Sequence, residues 1–364
     1  MMSTMEIEVR RTDTPPGVTR CLWSPSRCAI SLTSLLVASC GHFDIEHQPG
    51  DAPLAFPPDD APPAFLSCMG LPATCGAKRK GNCCESPEVM GGSFARGYDL
   101  ASDHAYPDPS FRATISTFRL DKYEVTVGRF RAFVRANMGT QANPPAAGAG
   151  THPRIDRSGW AASWNSKLTM NLDELTAALK CDYPMYTWTD APEGHELLPV
   201  NCITWYEALA FCAWDGGFLP TEAESNYAAA GGAAQRAYPW SDPPETLSTL
   251  DGEHASYNCL GDGMSGCALT DLVEVGTLWQ GEGLWLQSDL AGNVWEWALD
   301  SYEMPYPLEC NDCANIGPAQ SDQDRVLRGG SFDDPDVELR AGHRGNLPPT
   351  ERGFNKGVRC ARTL

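Results

Sequence analysis

The chemistry open to this 364-residue chain is concentrated in fifteen cysteines and in a few clusters of carboxylates. Thiolates are soft nucleophiles and metal ligands, whereas the same cysteines joined in pairs are structural staples. Cys310-Asn311-Asp312-Cys313 has a dithiol spacing that suits a redox pair, a metal site or a small disulfide loop. Cys68, Cys75, Cys83 and Cys84 crowd 17 residues, a spacing shared by zinc knuckles and stapled loops. Cys259 and Cys267 flank a glycine-rich turn, and Cys181 and Cys202 flank one loop, so local bridges are expected for both pairs. The acidic run Asp333, Asp334, Asp336 and Glu338 reads as a solvated face or as a site for a cation or basic ligand. Arg340, His343 and Arg344 follow it closely and are candidates to pair with it. None of the seven histidines has metalloprotease spacing, and no phosphate-binding glycine loop or nucleophile-elbow serine is present.

The compartment decides between thiol and disulfide. Arg20 and Arg27 precede an apolar run, Ala29 to Val37, too short to span a bilayer, which ends in Val37-Ala38-Ser39-Cys40. That ending is similar to a bacterial lipobox, so residues 1–39 are expected to be a signal peptide and Cys40 a lipidated N-terminus. The expectation is an exported, membrane-anchored lipoprotein at the outer membrane or cell surface, touching the membrane only through its lipid. Setting aside Cys21, Cys28 and Cys40 leaves twelve cysteines, an even number suited to six bridges in an oxidising compartment. A net charge of −20 argues against nucleic acid, whose binding draws on Lys and Arg to release counterions.

The elements that must position these groups are few. Residues 40–64 are rich in Pro, Asp and Ala and read as a tether, and 65–88 form a cysteine-rich segment. Globular patterning runs over 89–364, with Gly91-Gly92-Ser93-Phe94 echoed by Gly329-Gly330-Ser331-Phe332. Thr126 can cap a helix through Phe130, Phe133 and Val134. Capping boxes at Thr204/Glu207 and Thr221/Glu224 start two more, the last stopping at Gly231-Gly232. Alternation over Phe118 to Tyr123 predicts a short strand. With 34 glycines, 29 prolines and 11 tryptophans, a loop-rich α+β domain with aromatic plates in its core is expected.

Several separated segments then carry a resemblance. Leu198-Pro199-Val200-Asn201 through Glu224, Tyr238-Pro239-Trp240, Asp289 through Trp297, Arg328 through Phe332 and Gly357-Val358-Arg359-Cys360 are similar, in order, to the sulfatase-modifying factor (formylglycine-generating enzyme) family. The resemblance implies a C-type-lectin-like fold with little regular secondary structure and a disulfide between Cys212 and Cys360. It also implies a groove beside Ser331, Asp333, Asp334 and Asp336, with Arg340 and Arg344 near it. Family oxidases hold copper(I) on two cysteines shortly after the Gly-Gly-Ser-aromatic motif. Here Asp333 to Arg340 contains none, and carboxylates are too hard to replace thiolates on copper(I). Copper is therefore not expected. Gly292, Asn293, Val294 and Glu296 match a family calcium site of backbone carbonyls and one carboxylate, or else Trp295 and Trp297 are core plates and Glu296 a buried hydrogen-bonding partner. The expected function is a non-catalytic binding or structural module of the cell envelope, recognising a peptide or other envelope ligand. The alternative is a divergent oxidoreductase acting on protein cysteine.

Overall fold

The computed structural model describes residues 65–181, 184–306, 310–318 and 322–364. The predicted signal peptide, Cys40 and the tether lie outside them. Regular structure is short and scattered. Three small sheets order as β1 (Glu88–Val89), β4 (Phe118–Leu120), β10 (Ala361–Arg362); β2 (Gly92–Ala95), β3 (Arg112–Ile115), β6 (Cys310–Asn311); and β8 (Gly345–Leu347), β7 (Arg325–Arg328), β5 (Trp295–Ser301), β9 (Lys356–Gly357). The first and last strands share one partner, since β4 pairs antiparallel with β1 and β10. The predicted strand beyond Leu120 stops early because Asp121 turns inward to meet two arginines.

The three expected helices form where their caps place them. Thr126 accepts the Arg129 N–H and opens α1 (Val127–Arg135). A further helix that the sequence did not announce, α2 (Leu172–Ala178), is capped by Asn171. In α3 (Trp205–Trp214) and α4 (Glu222–Ala229) both halves of the capping box are made, satisfying N–H groups that would otherwise be orphaned. Each cap is also a tertiary tie: Glu207 pairs with Arg352, and Glu224 takes the His152 Nε2 at 3.0 Å.

Aromatic plates fill the core as composition suggests. Phe130 and Phe133 of α1 pack on Phe211 of α3, and Trp160, Trp164 and Trp205 meet edge to face. Indole N–H groups are spent locally: Trp205 donates to the Ala298 carbonyl at 2.8 Å and Trp297 to that of Ile203 at 3.1 Å, which fixes α3 against β5. Every residue of β5 is buried, so this strand is the spine of the domain.

Charge is buried as well. Arg129 and Arg362 enclose Asp121 and Asp215 with contacts of 2.7 to 3.0 Å, joining α1, β4, β10 and the end of α3. Burial alone would push the Asp121 carboxyl up, but Arg362 and Arg129 hold it below its ordinary value. The Cys212–Cys360 disulfide closes the same junction. All twelve cysteines beyond residue 64 are paired: Cys68–Cys84, Cys75–Cys83, Cys181–Cys202, Cys212–Cys360, Cys259–Cys267 and Cys310–Cys313.

Candidate functional site

The segment after β7 is built by its two glycines. Gly329 and Gly330 have φ of +100° and +71°, left-handed values that strain other residues. A Cβ on Gly330 would come within 2.9 Å of the Glu338 carbonyl, so the chain can fold back here only on glycine. The earlier Gly-Gly-Ser-Phe copy is different: its last three residues lie in β2, paired with β3. Likeness of sequence does not make the two copies alike in structure.

Behind the glycine turn, Phe332 is buried against Phe354, and its carbonyl accepts the Cys259 N–H at 2.7 Å. This anchors an acidic cluster. Ser331 Oγ bonds to Asp333 Oδ1 at 2.8 Å and to Asp334, while Asn355 Nδ2 donates to Ser331 Oγ at 3.2 Å and to Asp333 Oδ1 at 2.8 Å. Glu338, on the short 3₁₀ turn Asp336–Leu339, is hydrogen-bonded to Asp334. Burial, that bond and the charges of Asp334 and Asp333 push its carboxyl up to about 7, against the pull of Lys356. Asp336 is exposed and stands outside the cluster. Its donors are hard oxygens, able to accept hydrogen bonds or face a cation, and unable to hold copper(I).

The arginines do not pair with this cluster. Arg340 is buried and bound instead to Asp99, at 3.1 Å, and to Asp103, from a loop more than 200 residues away in sequence. That corrects its expected pairing with the acidic run: its charge is spent on holding the 99–103 loop. Arg344 turns the other way. It covers the Tyr306 ring at 3.7 Å, donates to the Glu303 carbonyl at 2.6 Å and lines a cavity of about 280 Å³. Between them His343 meets the Tyr106 hydroxyl at 2.6 Å, and burial with the Arg328 charge lowers its imidazole to about 4. The acidic cluster around Ser331 and the cavity under Arg344 have no lining residue in common.

The cavity joins Cys313, Arg344 and Glu222 to three residues the sequence reading missed, Arg96, Asp300 and Tyr306. Arg96, Glu222, Asp300, Tyr306, Cys313 and Arg344 line it. Glu222 receives the Tyr306 hydroxyl at 2.7 Å and pairs with the buried Arg328. Asp300 accepts the Glu222 and Asn315 N–H groups, each at 2.8 Å, and burial pushes its carboxyl up to about 7. Nothing local in sequence joins positions 96, 222 and 300; only Glu222, beside the capping box, lay within a motif.

At the Gly292–Glu296 turn, Asn293 spends its side chain on Glu124 and Val273, and its carbonyl accepts the Phe332 N–H at 2.9 Å. Glu296 Oε1 takes two bonds from Arg359, at 2.9 and 2.7 Å. The structure brings two further acids to this turn, Glu124, which the sequence reading did not name, and Asp289, which begins the same segment. Glu124 accepts the Val294 N–H and is pushed well above its ordinary value by burial and by Asp289 and Glu296. Asp289 is raised to about 6 by burial. Of these three buried carboxyls only Glu296 is hydrogen-bonded to the Arg359 guanidinium, and among the described residues no three acidic, His or Cys side chains are gathered as a metal site.

Residues 73–364 match the family model for the sulfatase-modifying factor enzyme 1-like domain. A formylglycine-generating enzyme of Streptomyces coelicolor is 31% identical over 296 residues, covering 75% of this chain and 85% of that protein. The mouse protein named inactive C-alpha-formylglycine-generating enzyme 2 is 28% identical over 295 residues, covering 75% and 84%. Among solved structures, PvdO from Pseudomonas aeruginosa matches 76% of this chain and 93% of its own, at 21% identity and a TM-score of 0.49.

Proposed function

The chain belongs to the sulfatase-modifying factor enzyme 1-like family, and from that premise we propose that it is a binding module that keeps the family framework without its copper chemistry. The observation that carries this is the thiol inventory. Where two thiolates would be needed after Ser331, the chain offers Asp333, Asp334 and Glu338, and every cysteine among the described residues is in a disulfide. A relative of similar coverage whose name calls it inactive supports the reading that this framework persists without that activity.

The ligand we propose is a peptide presenting Lys or Arg to the Ser331–Glu338 face. Its ammonium or guanidinium groups would meet carboxylates already gathered and partly desolvated, which strengthens charge-assisted bonds. Export and a lipid on Cys40 would display this face at the outer membrane or cell surface, and six disulfides suit that oxidising side. Calcium completes the proposal: Glu296 with the carbonyls of Gly292 and Val294 would hold it, and its charge would offset the buried acids. Panning the purified chain against a random peptide library tests the ligand class. Bound peptides should be enriched in Lys and Arg, and Asp333→Asn/Asp334→Asn should weaken them about tenfold or more. A bound pool with no such enrichment would refute the ligand assignment.

A further inference from the structure

The Cys310–Cys313 bridge differs from the other five in ways that point to chemistry. Its sequence separation is 3, against 8 to 148 elsewhere, so it restrains the unfolded chain least and the fold depends on it least. Its Cys313 also borders the 280 Å³ cavity. The two sulfurs are unequal in access: Cys310 is 4% exposed on β6, whereas Cys313 is half-buried and faces the cavity. Arg96 Nη1 stands 3.8 Å from Cys313 Sγ. The carboxylate between the cysteines is turned away, since Asp312 is held by the Ser116 N–H and hydroxyl at 2.6 Å each. A guanidinium is therefore placed beside the accessible sulfur.

We propose that Cys310–Cys313 is an exchange-active disulfide that oxidises pairs of cysteine thiols in a peptide reaching the cavity. The substrate thiolate attacks Cys313 Sγ, the S–S bond breaks, and Cys310 leaves with the electron pair and takes up a proton. The substrate's second thiolate then attacks the substrate sulfur of the mixed disulfide, and Cys313 leaves as a thiolate facing Arg96. Two substrate thiols become one disulfide, and the Cys310–Cys313 bridge is reduced by the same two electrons. A small-molecule disulfide restores it by the reverse exchange. Arg96 stabilises the Cys313 thiolate, as cations beside reactive cysteines do. Asp300, whose bonded partner Asn315 lies two residues beyond Cys313, is the cavity carboxyl able to trade a proton near neutral pH. This centre goes beyond the binding reading and stands or falls without it, because it needs neither copper nor the Ser331 face.

The full chain with its disulfides formed is equilibrated with graded ratios of reduced to oxidised dithiothreitol, and each cysteine is read by differential alkylation and mass spectrometry. Cys310 and Cys313 should open while the other ten remain blocked. A reduced two-cysteine peptide, with oxidised glutathione as re-oxidant, should be oxidised faster with the protein than without it. Cys310→Ser/Cys313→Ser should abolish that gain. Arg96→Gln should slow it about tenfold and Arg96→Lys should restore most of it, with thermal unfolding confirming that both variants fold. Opening of this bridge only together with the other five, or peptide oxidation unchanged in the double serine variant, would overturn the assignment.

Discussion

Replacing Asp121 with Asn tests how the framework around both candidate sites is held. Asp121 Oδ1 accepts Arg362 Nε at 2.7 Å, and Oδ2 accepts Arg129 Nη2 and Arg362 Nη2 at 3.0 Å each. The side chains of Arg129, Asp121 and Asp215 are 0% exposed and that of Arg362 is 3% exposed. Asp121→Asn keeps the shape and removes one charge, leaving two guanidiniums to share Asp215 in a space that water does not reach. Breaking one partner of a buried charge set costs about 3–5 kcal/mol, because the remaining charge stays buried without compensation. The pH dependence follows from the depressed Asp121 carboxyl. A carboxyl lowered in the folded state contributes stability above its unfolded pKa, and that contribution is lost as pH falls through the folded value. The gap between wild type and Asp121→Asn should therefore hold from neutral pH down to about 4 and close only below it. Urea unfolding with disulfides intact, followed by the fluorescence of the 11 tryptophans, measures it. A loss under about 1 kcal/mol, or a gap that does not close in acid, would refute the reasoning.

Three further outcomes are expected. Calcium at one hundred times its Kd should stabilise by about 2.7 kcal/mol over a chelated sample, raising Tm by roughly 5 °C, and an unchanged Tm contradicts calcium at the Glu296 turn. Thr221→Ala removes the Oγ1 acceptor of the Glu224 N–H at 3.0 Å and should cost about 1 kcal/mol in chemical denaturation. Expressed in bacteria, Cys40→Ala should move the protein from the membrane fraction to the soluble exported fraction; an unchanged distribution argues against a lipid on that residue.

What the sequence disclosed follows the range of the interactions involved. Thr204/Glu207 and Thr221/Glu224 were legible because a capping box is complete within four residues. Cys259–Cys267 and Cys181–Cys202 were expected as local bridges because each pair flanks a single turn or loop. The nested pairing of Cys68–Cys84 and Cys75–Cys83 was not, since four cysteines allow three connectivities. The Asp121–Arg129–Asp215–Arg362 box joins positions up to 241 residues apart and leaves no local pattern. Arg340 was given the wrong partners on the same account: proximity in sequence to Asp333 and Asp334 suggested them, while the fold brings it Asp99 and Asp103. At the Ser331 site the missing thiolates were legible, because an absent residue type needs no geometry. The clustering of Glu338 with Asp334, Asp333 and Asn355 emerged only once Gly329 and Gly330 folded the segment back.

The most direct test of the central claim is to incubate the purified chain, loaded with copper(I) under air, with a sulfatase-type cysteine peptide and to follow the peptide by mass spectrometry. No conversion of the cysteine to an aldehyde above the protein-free rate is predicted, in parallel with full conversion by an active family member. Aldehyde formed at an enzymatic rate would contradict the account, because it would require a soft-metal site where Asp333, Asp334 and Glu338 stand.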